Sequence, residues 1–327
     1  MIGGGFQNIF KIPELKKRIL FTLGLLIVYR IGVHVPVPGI DSVALASFFK
    51  AAEATIFGIF NMFSGGAFEK LSVFALGIMP YISASIILQL LTVVIPHLEQ
   101  LKKEGEQGRK KITQYTRYGT VVLSIIQGFG ISVGLESMSA PDGSPVVLLP
   151  GWAFRLMTVI TLTAGTAFIM WLGEQITERG VGNGISLIIF AGIVCRLPAA
   201  SVNTVRLLST GEMGIFAILI LVVLMVGVVG FIIFVEQGQR RIPVQYAKRV
   251  VGRRMYGGQS THLPLKINTS GVIPPIFASS IIMFPATIGS FVKVEWIQTI
   301  TAAMRPGNLV YELLFIGFIF FFCYFYT

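Results

Sequence analysis

Few residues in this 327-residue chain have the type and spacing to make or break covalent bonds. His34, His97 and His262 lie far apart in sequence and show no metal-ligand spacing. Cys195 and Cys323 sit in or at the edge of apolar runs with no partner motif nearby, so both are expected to be small packing residues. Gly180-Val181-Gly182-Asn183-Gly184 has the glycine content of a nucleotide loop, but it follows no strand pattern and lacks the Gly-Lys-Ser/Thr ending. Neither His-Glu-x-x-His nor Gly-x-Ser-x-Gly occurs. The sequence therefore points to no catalytic residue, no metal ligand and no cofactor, and the chain is not expected to be an enzyme.

What remains is the chemistry of sealing and parting. Gly77 to Ile87 lines up with Gly271 to Ile281, with six of eleven positions identical. Both copies hold a proline, Pro80 and Pro274, and a small polar residue, Ser85 and Ser279. Proline removes a backbone donor, so a break or kink is expected in each helix. Broken helices at membrane depth are tolerated where they are buried or line a cavity. Ordinary kinks in tightly packed helices are the competing explanation. Gln89 and Asn268 are amides in or near the two segments, placed to hydrogen-bond across a seam with a modest strength of about 0.6–2 kcal/mol.

The elements that must position these residues are membrane helices. Hydrophobic residues make up 54% of the chain and charged residues 13%, about half the charge of a soluble domain. Apolar runs long enough to cross a bilayer fall at about 19–35, 71–95, 118–135, 152–173, 183–200, 213–235, 267–292 and 311–327. The expected fold is an all-α polytopic membrane protein. No span carries Asp, Glu, Lys or His near its centre, which argues against an ion-coupled transporter, the second reading. A membrane-embedded enzyme is the third. Arg30, Arg155 and Arg196 lie near span ends, where they can snorkel to the interface.

Charge sets the orientation. With the N-terminus cytoplasmic, 18 of the 26 basic residues fall on the inner side, together with the whole net charge of +11. By this count the two copies of the repeat run in opposite directions, the signature of an inverted repeat flanking a central path. Residues 97–117, with Arg109 and Lys110, and residues 236–266, with Arg240, Arg241, Lys248, Arg249, Arg253 and Arg254, read as long basic loops on that side. The positive-inside rule alone yields a basic face. Two long prongs go further and suggest docking of an acidic or phosphate-bearing partner, ribosomal RNA being one candidate. On the outer side, residues 55–68 are apolar, too short to cross and broken by Gly65 and Gly66, so a short re-entrant element is expected, with a surface-lying helix as the alternative.

Several stretches then resemble one family. Asn61 to Gly66, Gly77 to Leu91, Glu104-Gly105-Glu106 with Gln114 to Tyr118, Trp171 to Ile189 and Gln259 to Lys266 are similar to bacterial SecY proteins, the channel subunits of the Sec protein translocase, over nearly the whole chain and in unbroken order. The resemblance implies an hourglass pore between two pseudo-symmetric halves of five spans, here residues 1–200 and an incomplete 201–327. It further implies a plug and a sideways gate between the second/third and seventh/eighth spans. Motif alignment puts Ile78, Ile82, Ile189 and Ile276 in the pore ring. It puts Ile56, Phe57, Phe60, Asn61, Met62, Phe63, Ser64 and Gly65 in the plug, and Pro80, Ser85, Gln89, Asn268, Pro274 and Ser279 at the lateral gate.

By the same resemblance, the two basic loops dock the ribosome, through its RNA and exit-site proteins, and the SecA ATPase motor. SecE and SecG are the implied companion subunits, and signal peptides, translocating polypeptides and membrane lipid are the other partners. The location implied is the bacterial cytoplasmic membrane, with many passes. The family has ten spans, so eight here read as a fragment ending at Thr327. Pro275 makes a Pro-Pro pair where the family more often has a small residue.

Overall fold

The computed structural model describes residues 12–41, 44–47, 61, 64–136, 138, 145–244, 249–251, 254–256, 261–271, 273–291, 303 and 307–326. In chain order these form α1 (Pro13–Gly32), α2 (Met79–Val94), α3 (Pro96–Lys103), α4 (Glu106–Glu136), α5 (Trp152–Arg179), α6 (Gly184–Val194), α7 (Leu197–Ser209) and α8 (Ile215–Gln237). Four short strands follow, β1 (Gln239–Val244), β2 (Arg249–Val251), β3 (Arg254–Tyr256) and β4 (Thr261–Lys266), then α9 (Ile273–Phe291) and α10 (Leu309–Tyr326). Among the described residues, five helical stretches are long and apolar enough to cross a membrane: α4, α5, α6 with α7, α8 and α10. The pair α2–α3, bent by 99° at Ile95, makes a sixth if taken as one span. α1 is 20 residues long, but five of them, Glu14, Lys16, Lys17, Arg18 and Arg30, are charged.

The residues group into two compact units, Met1–Pro198 with Phe277–Ile316 and Ala199–Ile276 with Gly317–Thr327. In the first unit, α4 and α5 pack along their length, α2 lies on α4, and α6 lies on α5. The seam on α4 is a row of small residues four apart, Thr116, Thr120, Ser124, Gly128 and Ser132, all buried. Lipid tails are as apolar as leucine, so close backbone approach rather than water exclusion drives this packing. On α5 the buried row Leu162, Ile169 and Ile176 recurs every seven residues. Glycine admits the tightest contacts: a Cβ on Gly184 would overlap the Gly173 carbonyl, and one on Gly165 the Val73 carbonyl. The glycine-rich run at 180–184 is thus a helix corner. Its Asn183 side chain accepts from the Ile185 and Ser186 amides at 3.1 and 3.4 Å and caps α6.

Helix ends depart from the apolar runs. Residues 97–117 are not a loop but α3 and the first turns of α4, joined by Gly105 at φ +75°. Hydropathy marks where lipid ends, whereas Lys, Arg and Gln propagate a helix well beyond it. Residues 71–78 are turns, so α2 begins eight residues later than its apolar run. The 183–200 run breaks at Cys195–Arg196, just ahead of Pro198 in the first turn of α7.

In the second unit, α8 buries no residue, as befits a helix that is apolar all round. The 236–266 segment is a ribbon rather than an open loop. β1 pairs antiparallel with β4 from Gln239↔Lys266 to Val244↔Thr261, and β2 pairs with β3. Pro243 and Pro264 fit because each strand of a two-stranded ribbon keeps one unpaired edge.

Candidate functional site

The site is organised around an irregular, buried stretch, Ser64 to Ile78, between α1 and α2. Ala67, Leu71, Ala75 and Leu76 in it are at most 1% exposed, yet no helix or sheet carries its backbone. Its amides are satisfied locally and from the chain after α1: the Leu71 carbonyl accepts from Val37 N–H, and Val73 N–H donates to the Val35 carbonyl, both at 2.9 Å. Leu71 itself takes a positive φ of 36°, a conformation rare outside glycine. A stack of rings, Tyr29 on Phe74, Phe74 on Phe168 and Phe168 on Trp171, ties this stretch to α1 and α5.

At its start lie three of the residues assigned to the re-entrant element. The Ser64 carbonyl accepts from the Tyr29 hydroxyl at 3.2 Å, and the Gly65 carbonyl accepts from Arg30 at 3.0 Å. Asn61 is buried; its carbonyl accepts from the Ser64 hydroxyl, and its side-chain amide pairs with Glu69. Gly65, at φ +67°, packs so tightly that a Cβ would stand 2.9 Å from Gly192 Cα on α6. Ile56, Phe57, Phe60, Met62 and Phe63 lie outside the described residues.

The repeat takes the same local form twice. Gly77 and Gly271 adopt φ +56° and +61°, each helix starts two residues later, and each proline falls within its first turn. Pro80 and Pro274 therefore do not kink the helices. They start them, where a missing N–H was unpaired in any case. A sequence read without backbone angles places the break at proline, while the glycine three residues earlier makes it. The 99° bend falls instead at Ile95–Pro96.

The polar residues assigned to the gate from the sequence divide by element. Gln89 Nε2 donates to Ser85 Oγ at 3.4 Å along α2. Asn268 is used up within its own unit: its amide donates to Glu236 Oε1 at 2.7 Å and to the Gly271 carbonyl at 3.3 Å. Its Oδ1 accepts from Gly271 N–H and Ser270 Oγ. All four hydrogen-bonding positions of the amide are taken, so the expectation that Asn268 bonds across a seam is corrected: it caps the entry to α9 and ties it to the end of α8. Ser279 is buried on α9, and its neighbour Ser280 reaches Met79 Sδ at the start of α2 at 3.9 Å. Met79 and Ser280 were not singled out from the sequence, although the repeat pairs Ser280 with Ile86.

Of the positions assigned to the ring from the sequence, Ile78 and Ile82 stand at the start of α2 and Ile189 in α6, each at most 7% exposed. Ile276 stands in the first turn of α9, in the second unit. Arg109 and Lys110 are exposed on the first turns of α4. Arg240 and Arg241 are exposed on β1, and as strand neighbours they face opposite sides of the ribbon. Arg249 and Arg254 belong to β2 and β3; Lys248 and Arg253 lie outside the described residues. Span-end arginines are bound rather than merely extended toward the interface. Arg155 pairs with Glu136 at 2.5 Å and Arg196 with Glu69 at 3.2 Å. The Glu69–Arg196 pair, 127 residues apart, has no sequence signal.

Comparison with known proteins gives a consistent picture. The SecY family model matches residues 72–327. The protein translocase subunit SecY of Escherichia coli (strain K12) is 57% identical over 318 residues, covering 96% of this chain and 71% of that protein. The same subunit from Buchnera aphidicola subsp. Acyrthosiphon kondoi is 56% identical, with 96% and 89% covered. A solved protein conducting channel superposes with a TM-score of 0.61 at 19% identity, covering 91% of this chain and 65% of the other. A structure described for a SecY plug domain that stabilises the closed state gives 0.60 at 19%, with 91% and 64% covered. Sec61 in the canine ribosome-channel complex gives 0.59 at 18%, with 91% and 65% covered.

Proposed function

The chain belongs to the SecY family, and from that premise we propose that it is the central pore subunit of a protein-conducting channel. It passes unfolded secretory polypeptides across the bacterial cytoplasmic membrane and releases apolar segments sideways into lipid. The chain spans just under two thirds of the solved channels it superposes on, and the activity is that of the full-length subunit.

The observation that carries this reading is the buried irregular stretch from Ser64 to Ile78. Non-helical backbone at membrane depth must be enclosed by protein or border an aqueous path. In this reading it overlaps the end of the re-entrant element at 55–68 and leads into the first turn of α2. In the proposed mechanism Ile78, Ile82, Ile189 and Ile276 form an apolar constriction that fits around an extended chain and otherwise dewets against ions. The element at 55–68 plugs the closed path. α2 and α9, started by Pro80 and Pro274, border the sideways exit, lined by Ser85, Gln89 and Ser279. Segments with a favourable transfer free energy leave through it, and polar ones continue.

The chain runs no reaction of its own, so the work comes from partners. The SecA motor or a ribosome docks on the basic residues of α3–α4 and on those of the β1–β4 ribbon, with the N-terminus on the cytoplasmic side. SecE and SecG complete the complex, and a signal peptide opens it. The test is reconstitution of the full-length protein with these partners in proteoliposomes. A secretory precursor becomes protease-protected in an ATP-dependent manner if the proposal holds, and stays accessible if it does not.

A further inference from the structure

Glu69 holds two partners at once. Its Oε2 accepts from Asn61 Nδ2 at 3.0 Å and from Arg196 Nη2 at 3.2 Å, while its own N–H donates to Asn61 Oδ1 at 3.1 Å. Asn61 is 5% exposed, whereas the Glu69 and Arg196 side chains are 29% and 40% exposed. One end of this network is therefore anchored in the core and the other reaches solvent. Arg196 follows α6 directly, two residues past Val194, and the same helix carries Ile189 and packs Gly192 on Gly65. The five residues from Ile189 to Val194 span about 7.5 Å of α6, and the Cys195 and Arg196 amides donate back to the Ala191 and Ile193 carbonyls at 3.1 and 3.2 Å, so Arg196 is carried by the helix end.

We propose that Glu69 and Arg196 form a clasp that positions the end of the plug and links its release to widening of the ring through α6. A polypeptide that pushes Ile189 outward carries the α6 end with it. Arg196 is then drawn off Glu69, Asn61 loses the orientation of its amide, and the Gly65–Gly192 contact opens. Tyr29 and Arg30 continue to hold the Ser64 and Gly65 carbonyls on α1, so the segment swings about a fixed base rather than detaching. The inference rests on the reading of residues 55–68 as the plug.

The test uses the full-length protein with its companion subunits in planar bilayers, reading resting ion conductance and export of a precursor with a defective signal sequence. Glu69→Gln and Arg196→Gln each raise the resting open fraction by roughly twofold to fivefold, the scale of one lost, partly exposed ion pair. The exchanged pair, Glu69→Arg with Arg196→Glu, returns it toward the parent level, which general loosening of the fold does not. Thermal midpoints of all variants are measured alongside. If Arg196→Gln does not accumulate, Arg196→Lys, which keeps the charge and loses the guanidinium reach, is read in the same way. Deletion of residues 55–60 is the control. Conductance unchanged by that deletion overturns the plug reading itself. Conductance raised by the deletion but not by Arg196→Gln, or a double exchange no better than the single changes, overturns the clasp alone.

Discussion

Gly165→Ala places a methyl group where α5 meets the irregular stretch. Its Cβ would stand 2.8 Å from the Val73 carbonyl carbon and 2.9 Å from Val73 Cγ1, and would overlap the Val73 oxygen. Val73 cannot easily retreat, since its N–H is bonded to the Val35 carbonyl at 2.9 Å on the other side. Two opposing effects meet. Alanine improves helix propensity by at most about 1 kcal/mol, while overpacking against backbone costs about 1–3 kcal/mol. Because the clash is with backbone atoms that cannot swing away, the cost falls in the upper part of that range, about 2–3 kcal/mol, and the net loss is about 1–2 kcal/mol. At about 2–4 °C per kcal/mol, the thermal midpoint falls by about 2–8 °C. The assay is tryptophan fluorescence of the full-length protein in detergent, with resting ion conductance in bilayers as the functional companion, which is expected to rise. Gly227→Ala is the control: it lies in α8 with nothing within 4 Å of its Cβ, so it should not lower the midpoint. A Gly165→Ala protein as stable as the parent, or more so, would falsify the packing of α5 on residues 64–78.

Tyr29→Phe keeps the stack on Phe74 but removes one of two donors to the Ser64 carbonyl, leaving Ala67 N–H at 3.3 Å, with an expected loss of about 0.5–1.5 kcal/mol and a raised resting conductance; an unchanged conductance at equal expression counts against the anchor. Asn268→Asp keeps an acceptor for Gly271 N–H but sets a second carboxylate against Glu236, so it lowers the thermal midpoint, and Glu236→Gln restores it. Failure of that rescue removes Glu236 as the partner. Arg240→Glu with Arg241→Glu weakens ribosome binding and flattens its salt dependence, because fewer counterions are released. Equal affinity across a salt titration reduces the ribbon charge to a topology signal.

Much of the fold was legible because hydropathy reports directly on lipid. The runs now seen as α4, α5 and α8 are long, apolar and nearly free of charge. Helix ends were not legible at Glu106 or Arg179, where charged residues that solvate well also propagate helices. The ribbon was hidden because Gln239–Val244 mixes two arginines and a proline into six residues, a pattern closer to a loop than to a strand. In the repeat the sequence exposed the equivalence of the two copies, yet proline drew the break to itself while Gly77 and Gly271 supply the left-handed turn. Tertiary pairs such as Tyr29 with Ser64 or Arg196 with Glu69 leave no periodic trace, because only the fold brings their partners together. Asn268 illustrates the reverse error: an amide at a promising depth whose four hydrogen bonds are all spoken for nearby.

The most direct test of the central claim is to ask which residues touch a polypeptide in transit. A photo-crosslinking amino acid is placed at Ile82 or Ile189 in the full-length protein, and at Val226, 69% exposed on α8. A secretory precursor is then stalled midway by a folded C-terminal domain. The channel account predicts adducts to the precursor from Ile82 and Ile189, dependent on ATP and a signal sequence, and none from Val226. Adducts from Val226 with none from either isoleucine would contradict it, because the chain would then cross along the lipid-facing surface rather than through a ring built from α2 and α6.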